Sequence, residues 1–190
     1  LACRAHPRVD SAAEILEAMA NDAGHGSEQV ELLVRAESML RGTRSPTEKV
    51  LRARLLVRIA RAVAAGVPLA RTRGWGEPAD PLGHALRLTD EALELLRCSA
   101  NAMLALFVEQ EAHTCAIEIE ARRLIEAPPD RISQRQADAP LVQRVRESTA
   151  RLVNGQPRKQ LLASLTDVER RLSAAGLGAA AAAIRVELES

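Results

Sequence analysis

PLGHALRLTDEALELLRCSANAMLALFVEQEAHTCAIEIEARRL, residues 81–124, is the stretch on which the fold class turns. Leu82, Leu86, Thr89, Leu93, Leu96, Ala100, Met103, Phe107, Gln110, Thr114, Ile117, Ala121 and Leu124 follow one another at alternating spacings of four and three. That is the seam of a heptad helix. No glycine or proline interrupts it between His84 and Ala127. A single helix over about residues 81–127 is therefore expected, ~45 residues and roughly 68 Å long. A break near Ser99 to Asn101 is the alternative. A second stripe, Ala85, Leu88, Ala92, Leu95, Ala102 and Leu106, widens the apolar face over the first two-thirds, while carboxylates flank the last third. That last third, Gln110 to Leu124, should narrow to a seam, protrude and pair with another chain, including a second copy of this one.

Upstream, the helix punctuation is legible. Ser11 and Glu14 have capping-box spacing and open a helix whose expected core face is Ala12, Ile15, Leu16 and Met19. Ala23-Gly24-His25-Gly26 ends it, and Ser27 is placed to cap a second helix carrying Val30, Leu33, Val34 and Leu40, closed by Gly42. Ser45-Pro46-Thr47-Glu48 sets serine at N-cap, proline at N1 and glutamate at N3 of a third helix, over 46–66, that buries Leu51, Leu55, Ile59, Ala62 and Val63. Residues 67–79 are rich in proline and glycine and read as a loop.

Downstream, residues 128–139 read as a polar linker. Pro140 should begin a helix with Leu141, Val142, Val145, Leu152 and Val153, stopped by Gly155. Leu161, Leu165, Val168 and Leu172 form a row in the next helix, from about Arg158 to Gly176, and the alanine-rich stretch from Ala179 to Glu189 makes a short last one. No stretch alternates convincingly as a strand. The expectation is an all-α helical bundle of about six to seven helices with one unusually long member. Residues 1–127 would form the bundle, and 140–190 would supply C-terminal helices packing on it. A solenoid-like stack is the other arrangement, although no window fits the 34-residue tetratricopeptide pattern.

Composition supports this class. Hydrophobic residues make up 47% of the chain but aromatics 1%, Trp75 and Phe107 alone, so aliphatic side chains and alanine must build the core. That suits closely packed helices better than a β-sandwich. Cys3, Cys98 and Cys115 form no disulfide framework, and the reducing interior of a cell, the cytoplasm, is the expected setting. The longest uncharged runs are too short for a membrane span. Leu1-Ala2-Cys3 faintly suggests a lipidation signal, and the non-methionine start suggests a piece of something larger.

Net charge is only +1, yet charge is segregated. Residues 41–73 hold nine basic groups and one acidic, net +8, whereas residues 1–40 come to −4 and residues 77–126 to −6. The first expectation is that the basic third helix lies against acidic neighbours within the chain. The second is an interaction surface for an acidic or helical protein, built from Arg52, Arg54, Arg58, Arg61, Arg71 and Arg73, with Trp75 either its anchor or, the first expectation for that residue, a plug over the end of the bundle. Nucleic acid fits less well: single-strand recognition draws on aromatic platforms, and only Trp75 is placed to serve as one. No helix-turn-helix or zinc-finger pattern is present.

His113 and Cys115 invite a chemical reading, but the spacings argue against it. A di-iron bundle site needs Glu-x-x-His pairs, and Gln110 stands three before His113. A phosphotransfer histidine followed by Lys-Gly is ruled out by Ala116 and Ile117. Residues two apart on a helix point about 200° from each other, so His113 and Cys115 cannot share a zinc ion on one face. Nucleophile-elbow, phosphate-loop and dinucleotide motifs are missing, so no catalytic residue, metal site or cofactor is assigned. Gln110 and Thr114, polar on the seam itself, read as register-setting residues. The function expected is a non-enzymatic helical interaction domain: scaffold, adaptor or regulatory segment. The alternatives are a nucleic-acid-associated protein using the Arg-rich helix 46–66, or an enzymatic or ligand-binding bundle without a recognisable motif.

Overall fold

The computed structural model describes residues 9–24, 26–69, 78–97, 102–127, 134–152 and 155–189. Among them there are eight α-helices and no strand: α1 (Val9–Asp22), α2 (Ser27–Met39), α3 (Pro46–Ala64), α4 (Pro81–Arg97), α5 (Ala102–Glu126), α6 (Gln134–Arg151), α7 (Gly155–Ala174) and α8 (Gly178–Glu189). The all-α class expected from the heptad stretch is what the chain adopts. That stretch contributes two elements, α4 and α5. The residues between them, 98–101, lie outside the described ones, and the expected alternative break at Ser99 to Asn101 falls there. The chain divides into two compact units, Leu1–Ala105 and Leu106–Ser190.

In the first unit α1 pairs with α2, α2 with α3, and α3 most extensively with α4. Helix α3 is the centre. Val50, Leu51, Leu55, Leu56, Ile59 and Val63 are buried, and so are Ala53, Val57 and Ala60 between them. Burial therefore extends well beyond the single stripe expected, as it must for a helix flanked by α2 and α4. Ser45 occupies the N-cap with Pro46 at N1, as its sequence requires, although its side chain makes no capping hydrogen bond. At the other end Gly66 adopts φ 84°, and the N–H groups of Gly66 and Val67 bond the carbonyls of Val63 and Ala62 at 3.0 Å each. This is a Schellman stop, which needs a residue tolerant of positive φ. Asp80 caps α4: its Oδ1 accepts from the Gly83 N–H at 2.9 Å. A Cβ on residue 83 would sit 2.1 Å from the other oxygen of that carboxylate.

In the second unit the α7 row Leu161, Leu165, Val168 and Leu172 is buried as expected. It packs with Leu141 and Val145 of α6, Ala180, Ala181 and Ile184 of α8, and Ile117 and Ala121 of α5. A second Schellman stop at Gly176 sends Leu177 onto the edge of this core.

Several expected boundaries move. Helix α1 starts at Val9, so Ser11 lies inside it rather than capping it. Gly26, not Ser27, is the N-cap of α2. Helix α6 begins at Gln134 and runs through Pro140, which sits past the first turn, where it withholds an N–H from the carbonyl four residues back. Helix α7 begins at Gly155 instead of Arg158.

The second core can be tested at its middle. Leu165→Ala is expected to cost about 2–5 kcal/mol, and Val186→Ala on the exposed side of α8 about 0.5 kcal/mol or less. Urea unfolding followed by circular dichroism compares the two.

Candidate functional site

The arginine face of α3 is occupied from within. Glu37 of α2 is almost wholly buried, 1% exposed, and its two carboxylate oxygens each accept at 2.9 Å, one from Arg41 Nε and the other from Arg52 Nε. Arg52 also reaches across to Glu91 of α4. One guanidinium thereby ties α2, α3 and α4 together. Glu17 of α1, also buried, accepts from Arg54 and, at 3.1 Å, from Arg58 Nη1. Arg58 Nη2 continues to Asn21 Oδ1 at 2.6 Å. Of the α3 arginines expected to form an interaction surface, Arg52, Arg54 and Arg58 are committed to ion pairs, while Arg61 stands exposed. The other expected members, Arg71, Arg73 and Trp75, lie outside the described residues.

These pairs set the rotation of α1. Ala13, Glu17 and Ala20, at spacings of four and three, form its buried side. Ile15 and Met19 are about 160° from Glu17 around the helix, and they are 60% and 51% exposed. The expectation that Ile15 and Met19 belong to the core is therefore corrected. A carboxylate that must meet two arginines turns inward, and the larger apolar side chains are carried outward with the opposite side. Sequence reasoning missed this face, though a signal was present. Helix α1 holds four carboxylates and no lysine or arginine, while Arg54 and Arg58 are spaced to clasp one of them.

The second unit carries the same kind of pairing. Gln110 Nε2 donates to Thr114 Oγ1 at 3.0 Å, both side chains buried. The two seam polar residues thus satisfy each other one turn apart. Glu109 accepts from Arg151 Nε at 2.8 Å, and Glu120 pairs with Arg144 Nε at 3.4 Å, which joins α5 to α6. Val108, Ala112, Cys115, Ala116 and Ile119 are buried as well. The narrow, protruding seam expected for Gln110 to Leu124 is thus a broad buried face. Small side chains let it pack closely, and the flanking carboxylates are drawn to the arginines of α6. Ile117 and Ala121 pack against α6, α7 and α8 of their own chain. Exposure falls instead on the first turns of α5, at Met103, Leu104, Leu106 and Phe107.

His113 stands among charges of both signs. Burial, the largest influence, holds its imidazole below the ordinary value of 6.5; Glu109 and Glu147 draw it up, and Arg144 and Arg151 push it down. On α4, His84 is also lowered, first by burial and then by Arg87. Cys115 is a buried thiol, whereas Cys3 and Cys98 lie outside the described residues. Among the described residues no three His, Cys, Asp or Glu side chains group to hold a metal ion, and no helix is long and apolar enough to cross a membrane. No family model, curated protein or solved structure matches this chain.

Two measurements follow from this geometry. Glu17→Ala leaves two arginines without their acceptor and is expected to cost about 1.5–3 kcal/mol, against about 0.5 kcal/mol or less for the exposed Glu14→Ala, read by urea unfolding. For His113 the folded state binds its proton less readily than the unfolded chain. Its contribution is intact above the ordinary value of 6.5 and is lost as pH falls below it. The unfolding free energy of the wild type should fall faster than that of His113→Gln on acidification below that pH, by at most about 1.4 kcal/mol per pH unit for one proton.

Proposed function

We propose that this chain is a non-enzymatic helical protein–protein interaction domain, acting as an adaptor, scaffold or regulatory segment, and that its docking surface is the outward face of α1. One observation carries this reading. The helix turns its small residues and a carboxylate inward and leaves Ile15 and Met19 in water on one stripe. Covering either side chain, 60% and 51% exposed, would gain roughly half of the ~1.5–3 kcal/mol that burying a fully exposed one yields. Their exposure is a cost that a partner can recover. Leu16 and Ala12, half-buried beside them, extend the stripe.

The arginine face of α3 supports a partner less than its sequence suggested, because Arg52, Arg54 and Arg58 spend their charge on Glu17, Glu37 and Glu91. The same pairing weakens the nucleic-acid reading, which depended on that charge being available to phosphates. Reversing Arg54 or Arg58 would report on the fold, whereas Ile15 and Met19 can be changed without breaking an ion pair.

The test is affinity capture from the native host with the wild-type chain and with Ile15→Ser/Met19→Ser. The expected result is a stoichiometric protein partner retained by the wild type and lost by the double variant, whose helicity and thermal midpoint stay within those of ordinary surface substitutions. Identical partner profiles for the two proteins would overturn the assignment of this face.

A further inference from the structure

We propose that the outward face of α1 receives a basic amphipathic helix. This rests on reading α1 as the docking surface and adds the chemistry of what docks there. Ile15, Met19 and Asp22 follow one another at i, i+4 and i+7, so the apolar pair and a carboxylate lie in one row along the helix. Glu14 flanks that row one residue before Ile15. Both acidic side chains are exposed, and neither has an ion pair among the described residues. Three other carboxylates of the α1–α2 hairpin differ in this respect. Glu17 is held by Arg54 and Arg58, Glu31 by Arg35, and Glu37 by Arg41 and Arg52. Helix α1 itself contains no lysine or arginine that could neutralise Glu14 or Asp22. Among the described residues the face therefore combines two apolar anchors with a negative rim that no ion pair compensates.

The complement of such a face is a helix with apolar side chains at i, i+3 or i+4 and lysine or arginine on their flanks. Apolar contact would supply the affinity. The rim charges, solvated and screened by salt, would add little to it and would instead choose among partners and set orientation. The same carboxylates repel nucleic acid and an anionic lipid surface, so neither fits this face.

The experiment uses the full chain and two designed helical peptides, each about three heptads long with leucine at the a and d positions. One has lysine at its polar positions and the other has glutamate. Binding is followed by fluorescence anisotropy, and the oligomeric state of the free protein by light scattering. The wild type should bind the lysine peptide saturably, at least about tenfold more tightly than the glutamate peptide, with the gap narrowing as salt is added. Glu14→Lys/Asp22→Lys should reverse the preference, and Ile15→Ser/Met19→Ser should abolish binding of both peptides while helicity is unchanged.

Equal affinity for the two peptides, no binding of either, or a preference that the charge-reversed variant leaves unaltered would overturn the proposal. So would a concentration-dependent dimer of the wild type that Ile15→Ser/Met19→Ser dissolves, because the occupant would then be a second copy. A host partner lost by Ile15→Ser/Met19→Ser, combined with failed peptide selectivity, would remove the basic-helix assignment alone and leave the docking surface standing.

Discussion

Glu17 and Glu37 are carboxylates withdrawn from water in a small helical unit, and the arrangement of that unit depends on how they are met. Desolvating an ion costs several kcal/mol even after relaxation, and attraction to a partner repays this only when the hydrogen bonds are well formed. Here both carboxylate oxygens of each glutamate are engaged, and every guanidinium except that of Arg41 comes from α3. Such pairs contribute little net stability over apolar packing, but a wrong register strands a charge and is strongly disfavoured. They act as alignment pins. Arg52 aligns α2, α3 and α4, and Glu17 fixes α1 against the same central helix. The fold thereby settles a conflict within α1, whose widest apolar stripe and whose buried side do not coincide.

The second unit uses the same device at another place. Arg144 and Arg151 of α6 meet Glu120 and Glu109 of α5 along the flank of a core made of leucine, valine, isoleucine and alanine. The net charge of +1 reflects nearly equal numbers of basic and acidic residues, many of which pair across helices within the chain. With almost no aromatic side chains to lend shape to the core, charged pairs at its margins carry much of the information that distinguishes one helix packing from its neighbours.

The parts of the fold that were legible in the sequence are those set by local chemistry. Proline at position 46 after serine at position 45, glycine at 42, 66 and 176, and the leucine row of α7 all act within a turn or two, and the structure follows them. The rotation of α1 was not legible, because it depends on Arg54 and Arg58, nearly forty residues away in the chain. The heptad seam of α5 is buried at Gln110, Thr114, Ile117 and Ala121 but exposed at Met103 and Phe107. Ala112, Cys115 and Ala116, small side chains off that seam, are buried too, so the spacing alone did not mark the full width of the buried face. The segregation of charge was plain, and the internal pairing expected first is what the described arginines of α3 mostly do. What sequence could not supply was which carboxylates they meet, and so which face of α1 is left outside.

The start of α4 shows how tightly two positions can be bound to each other. Glycine is a poor helix residue, costing about 1 kcal/mol against alanine, and Gly83 would ordinarily be a place where the helix could be improved. The Asp80 carboxylate, however, fills the space a side chain at residue 83 would enter, and it does so in order to accept the Gly83 N–H. Alanine at residue 83 would displace the cap and forfeit about as much as its propensity gains. Neither position can change alone with profit, so Asp80 and Gly83 should be inherited as a pair in any lineage that keeps this helix start.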